Sequence, residues 1–475
     1  MSELFPSAPK VGGALRRAAR CIGRGLRKLG RAMLYILPAL VLIHLIAVVV
    51  TGRQLQGDID RLTKAGVIVP AKDLIPTLPP GAENAADVYE QAWSALRLST
   101  EDETALFDQG VKHDAKWFAL ARQVVAANPE YYRLIYRASG IQHCVFKVGW
   151  DFPLEASFAH FGHMRKDARM LTLRCNVEAA DGRPDNALGS VAVMVRVGQQ
   201  AKTDPVIIAE LVSYAIQGMG VGSLEDVLAK GSPSPGACRS LRDQLAKIDN
   251  TSSSVRAMKG EFVLCGMDVF GRVRSGQVSL AQLASLGSDA SAPRWWRRLA
   301  VRTGAWLLRP LLNADERVYL SYMEREVRAF ERPWPDSKRI MSEQEDWLDR
   351  RGGTYAIVTN MVAPVLSRFG WFRDRATAAI GTARIAIALR AYRAEHGSYP
   401  VSLAELEPEG WKPPLDPFGG KPYRYRREGS GFVVWSIGPD MRDQNASIDY
   451  ETWLKTKLQK GWEEGEYDIV FRCSR

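Results

Sequence analysis

Few residues in this chain have the types and spacing that chemistry needs. His160 and His163 stand three apart, which on a helix places both imidazoles on one face, and His143-Cys144 lies upstream. Together they are the best candidates for a soft-metal site. Two ligands are not four, however, and no carboxylate stands at the spacing of a metalloprotease helix, so histidines held for packing are the plainer expectation. The rival is an envelope hydrolase whose site is assembled from His143, His160, His163 and acids brought in from a distance. Gly218-Met219-Gly220-Val221-Gly222 is the one glycine-rich run. A dinucleotide fingerprint follows a strand, whereas residues 207–217 read as helix, so the run is expected to break that helix. Without a Ser/His/Asp set, a metal motif or a phosphate loop, the sequence points to a binding or scaffold protein rather than an enzyme.

What must position these residues begins at the N-terminus. Before residue 32 stand eight basic residues against Glu3, so +7 of the formal +11 is concentrated there. Residues 32–50 follow with no formal charge, matching the roughly 20 residues that span hydrocarbon. They predict a transmembrane helix, an uncleaved signal anchor rather than a cleaved signal peptide, because no small-residue cleavage site follows Val50. The Lys/Arg bias keeps residues 1–31 cytoplasmic, which in a bacterium makes this an inner-membrane protein with its bulk in the periplasm. The basic arm reads as a topology signal touching anionic headgroups, not as a nucleic-acid site. The six cysteines are scattered without a CxxC pair, which argues against a zinc knuckle or a thioredoxin-type site. Five lie beyond the apolar segment, where one or two disulfides are possible.

Residues 51–83 are rich in proline and read as a tether: a short polar helix from Asp58, then an extended stretch through Ile68-Val69-Pro70 and residues 75–80. Asn84 is a plausible N-cap, and from 84 to 335 the periodicity is helical almost throughout. Two helices at 158–180 and 187–202, joined by Asp181-Gly182-Arg183-Pro184-Asp185, must lie antiparallel; they resemble one tetratricopeptide-like hairpin within an irregular helical array. Arg294 to Arg309 is basic, aromatic and amphipathic, suited either to an ordinary packed helix or to a membrane interface. Residues 336–353 predict a charged linker helix. The fold class is therefore mainly α, closed by a small α+β module at 354–475. In that module a long helix stops at Gly397-Ser398-Tyr399-Pro400, Ser402 opens a short helical turn, Asp416 to Gly420 make a tight turn, and strands follow at 422–426, 432–436 and 467–471.

The order of YRAEHGSYPVSLAEL (392–406), DPFGGKPYRYR (416–426), FVVWSIGPDMRD (432–443) and YDIVF (467–471) resembles the globular domain of type II secretion major pseudopilins. That resemblance implies a long helix packed on a short antiparallel sheet. It also implies a calcium site in the loop after the second strand, with Ser436, Asp440, Asp443 and Asp468 as the oxygen ligands by position. A pseudopilin has its leader and apolar helix at the chain start, whereas here the module ends a long chain. The expected function is thus membrane-anchored binding of a protein partner through the helical domain and this module, with lipid contact through residues 32–50.

Overall fold

The computed structural model describes residues 11–474 except 109, 152–155, 285–294, 353–354, 364–368, 408–409, 450–452 and 454–465, and the backbone alone at 11–32, 281, 284, 295–300, 345 and 352. It is 68% helix and 5% strand, the mainly α class expected. The first helix, α1 (Val11–Lys64), runs unbroken through the apolar segment and past it. A single turn, α2 (Ala71–Leu74), leads to α3 (Ala85–Ala95), where Asn84 Oδ1 accepts the Ala86 N–H as the N-cap. Then come α4 (Thr100–Phe107), α5 (Ala115–Ala127) and α6 (Pro129–Gly140).

The antiparallel hairpin is α7 (Ala159–Ala180) and α8 (Pro184–Ala201), with Gly182 supplying the turn at φ 72°. Against both lies α9 (Ile207–Lys230), which passes straight through Gly218, Gly220 and Gly222. The expected break is absent. Each glycine costs a helix about 1 kcal/mol relative to alanine, but α9 is buried along its length and its packing outweighs that local penalty.

Further along stand α10 (Pro235–Leu245), α11 (Asn250–Gly260), a π-helical turn (Glu261–Met267), α12 (Asp268–Ser275) and α13 (Leu280–Ala284). The long α14 (Trp295–Phe330) is followed by α15 (Trp334–Ser342), α16 (Gln344–Gly352) and α17 (Ile357–Val362). Last is α18 (Phe369–His396), ended by Gly397 at φ 78°. Ser402 and Glu405 then form a capping box on the short 3-10 turn Leu403–Leu406.

The sheet has three antiparallel strands in the order β1 (Arg424–Glu428), β2 (Gly431–Ser436) and β3 (Ile469–Cys473). Glu428 pairs with Gly431 and Arg424 with Trp435, while Phe432 pairs with Cys473 and Ser436 with Ile469. β1 and β3 begin two residues later than the alternation suggests. Pro422 lacks an N–H and makes only an isolated bridge to Leu415, and the tight turn at Gly429-Ser430 fixes the register from the other end. β2, central and buried along its whole length, faces α18, where Gly381 lets Tyr423 approach; a Cβ there would stand 2.0 Å from the tyrosine oxygen.

Three large apolar cores, with two smaller clusters about Phe418 and Trp435, share these elements among the described residues. The first joins α3 to α9; the second joins α7 to α10 with Ile380–Leu389 of α18 and the inner face of the sheet; the third joins Tyr214, Phe262, Tyr319, Phe330 and Phe369 from α9 onward. Two sequence readings change as a result. Residues 51–74 are not an extended tether, because Leu55, Leu62, Val67, Ile68 and Leu74 are buried, the first four within the third core, while residues 75–80 run outside any helix or strand and are mostly exposed. The terminal module is not a separate body either, since α9 donates side chains to all three cores and α18 to the second and third. Ile387→Ala, which empties fully buried volume in the second core, is expected to cost about 2–5 kcal/mol. Chemical unfolding followed by far-UV circular dichroism should shift as one transition. Two separable transitions, only one of them moved, would mean independent modules.

Candidate functional site

The histidines do not converge. His160 is buried at the start of α7, where its Nε2 meets Asp204 Oδ2 at 3.0 Å and its ring stacks on Phe146 at 4.3 Å. His163 lies exposed one turn on, stacked on Trp93 at 4.5 Å, and burial together with Lys166 lowers its pKa. His143 contributes its backbone, its carbonyl accepting the Ala85 N–H at 2.7 Å and closing a bridge to Asn84. Burial pushes the Cys144 thiol up to about 12, so it stays protonated and is no nucleophile. Trp93 Nε1 and the Tyr131 hydroxyl both donate to Asp167, and burial pushes that carboxyl up to about 7. These contacts fasten α7 to α3 and α6. None of the five described cysteines is in a disulfide with another; all five are buried.

The loop after β2 is better organised. Asp468 Oδ1 accepts from the Gln444 N–H at 3.3 Å and Oδ2 from the Ala446 N–H at 2.8 Å. Asp440 accepts from the Arg442 N–H and from Gln444 Nε2, at 3.0 and 2.6 Å. Asp443 accepts from Trp435 Nε1, from the Asn445 N–H and from Arg424 Nε. Met441, Asn445 and Ala446 sit in the left-handed region at φ 62°, 59° and 57°, a strain that these converging bonds sustain. Ser436 turns elsewhere: its hydroxyl donates to Asp416 Oδ1 at 2.8 Å and receives the Gly438 N–H.

Calcium needs six to eight oxygens around one point. The loop instead brings N–H donors to each carboxylate, and Ser436 is tied to Asp416. Among the described residues no group of three or more His, Cys, Asp or Glu is placed to share a metal ion. The four positions therefore do not fit a calcium cage in this geometry; they make a hydrogen-bonded loop in which Asp468 takes the central place. Asp416, which pattern reading took for turn chemistry alone, proves to be the hub of the neighbouring corner. It is buried and binds the Phe418 and Ile437 N–H groups and Ser436 at once, joining the 416–420 turn to the end of β2.

The other surface of interest is α1. Residues 33–43 are exposed on all sides, Leu34 at 71% and Tyr35 at 80%, and the most apolar window has a mean hydropathy of 2.7 with none of it buried. α9 also has the length and composition to cross a membrane, but 61% of its window is buried, which makes it a core helix. Family models, curated proteins and solved structures were all compared with this chain, and none matches it.

Two measurements test the aspartate loop. Asp468→Asn leaves one of its two N–H donors facing an amide nitrogen, at an expected cost of about 1–3 kcal/mol in thermal or chemical unfolding. The carboxyl of Asp468 is pushed up to about 6, chiefly by burial and further by Asp443 and Asp440, against the pull of the N–H bonds. Its folded value lies above the usual carboxylate value of about 4, so the folded state holds the proton more tightly than the unfolded chain. The stability this gives is complete below about pH 4 and is lost as pH rises through about 6. Wild-type Tm should fall across that window more than that of the Asn variant, and calcium should leave both unmoved. A calcium-dependent rise in Tm would mean that the loop can reopen into an ion cage.

Proposed function

We propose that this chain is a single-pass membrane protein. Its basic arm stays on the cytoplasmic side, residues 32–50 are the anchor, and the body is a binding or scaffold unit on the opposite face, in a bacterial envelope the periplasm. The observation that carries this reading is the bare apolar helix at 33–43, continuous with a well-packed body. A solvent-facing apolar surface of this kind is rarely left in water by a soluble protein. The positive charge concentrated before residue 32 supplies the orientation.

The terminal helix-on-hairpin is, on this proposal, pseudopilin-like in fold. What supports it is the order of α18, the Gly397 stop, the Ser402–Glu405 capping box, the Asp416 turn and three antiparallel strands. Its helix is enclosed by α9 and α10, so it serves here as an integral part of a scaffold and not as the packing spine of a filament. What weighs against the hydrolase reading is that His160 is held by Asp204, His163 is stacked on Trp93 and His143 is engaged through its backbone. Spheroplasts expressing the full chain test the topology. Added protease should digest the body and leave a short N-terminal fragment in the membrane pellet after carbonate washing. Release of intact protein by carbonate, or protection of the body from protease in spheroplasts, would reject the reading.

A further inference from the structure

The anchor does not stand clear of the body. From His44 onward, partly or fully buried residues recur along α1 at 44, 47, 48, 51, 52, 55, 58, 59 and 62, the spacing of a helix seam. The partner across that seam is α14. His44 Nε2 donates to the Trp306 carbonyl at 3.1 Å and the two rings lie 4.3 Å apart. Asn313 Nδ2 donates to Thr51 Oγ1 at 3.1 Å, Arg317 bonds Gln54 and Asp58 at 2.8 and 2.7 Å, and Arg61 bonds Glu324 at 2.9 Å. Both numbers rise together in every pair, so the two helices run parallel and stay in step.

This register conflicts with a bare single span. The part of α1 free of contact, residues 33–43, covers only about 16 Å at 1.5 Å per residue, whereas the hydrocarbon layer is about 30 Å thick. Extending it toward the N-terminus would draw Arg31, Lys28 and Arg27 into lipid. The remaining depth has to come from residues 44–50, and those lie beside Trp306 and the turn that follows it. That part of α14 presents an apolar outer face. Trp306, Leu307, Leu308 and Leu311 are 39%, 56%, 40% and 52% exposed, and Arg302 and Arg309 on the same stretch are exposed as well. In the parallel register Arg309 lies on the outer side of Trp306 and Leu307, while Arg302 lies one turn deeper and reaches outward along its long side chain; tryptophan and leucine beside such arginines are the composition of a helix seated at the headgroup and upper acyl layer.

We propose that the first half of α14 is a second membrane element, embedded beside the anchor in the leaflet where α1 emerges, so that the body sits in the bilayer surface like a collar. The proposal rests on the anchor reading, and its occupant is lipid: the apolar face of α14 meets α1 where Trp306 packs on His44, and Arg309 on the outer side of that contact complements anionic headgroups. A collar of this kind fixes the tilt and rotation of the body, which one flexible stalk does not.

Site-directed spin labelling of the full chain tests it, in vesicles of phosphatidylethanolamine and phosphatidylglycerol and in a Cys21→Ser background whose other cysteines are buried. Labels go at Leu40→Cys in the anchor, at Leu308→Cys and Leu311→Cys in the collar, and at Val401→Cys as the solvent reference, where the native side chain is 75% exposed. At 308 and 311 collisions with dissolved oxygen should exceed those with a water-soluble nickel chelate several-fold, as at 40, and the reverse should hold at 401. A water-exposed signal at 308 and 311 with a lipid signal at 40 would overturn the collar and keep the anchor. A water-exposed signal at 40 would overturn both. Shielding of 308 and 311 from both reagents would overturn the collar in favour of a second copy of the chain on that face.

Discussion

Two helices have no single apolar face, and the architecture follows from that constraint. α9 and α18 carry buried residues around much of their circumference, Glu210 and Gln217 in α9 and Arg373, Asp374 and Arg390 in α18 among them, so each has to be covered by several neighbours. α9 is covered by α7 and α8 and also by α18, and α18 in turn by α10, α15 and two strands. Their crossing forces residues far apart in sequence into common cores. The same crossing explains why the chain has no clean division between a helical array and a terminal module.

Where the cores meet, the interior is polar. Lys202, at the end of α8, donates to Asn250 Oδ1 at 2.5 Å and to Ser253 Oγ at 3.1 Å, with Glu210 at 3.8 Å. Asn250 exchanges hydrogen bonds with Gln217 and reaches Thr377 on α18. Burial lowers the Lys202 pKa while Glu210 raises it back, and burial raises the Glu210 pKa against Lys202. A buried pair of this kind contributes little net stability, because desolvation offsets the attraction. Its value is geometric: each group is satisfied only when α8, α9, α11 and α18 stand in one relative arrangement. Arg256 adds to this by donating to the carbonyls of Leu74 and Thr203, which ties the segment after α1 to the loop before α9.

Local chemistry was readable wherever it was decided locally. Asn84, Gly182, Gly397, the Ser402–Glu405 box and the Asp416 turn all act as their residue types require, since a cap or a left-handed position is settled within four or five residues. The α7–α8 hairpin was legible for the same reason. The aspartate loop was legible only in outline. The resemblance grouped Ser436, Asp440, Asp443 and Asp468 in one loop, but it said nothing of whether oxygen or N–H groups would face inward. Strand starts slipped by two residues because the hairpin turn, not the alternation, sets the register.

The sequence by itself determined the mainly helical class, the apolar segment at 32–50, the asymmetry of charge around it and the position of most caps and turns, because each depends on neighbouring residues and their interaction with water. Only the tertiary structure decided that α9 runs through its glycines, that residues 51–74 are packed rather than extended, and that the terminal module shares its core with the helices before it. It also decided that α1 and α14 run in step. These outcomes rest on contacts between residues as much as 263 positions apart, such as Arg61 with Glu324. Periodicity shows that a face is apolar, but not which distant face will cover it.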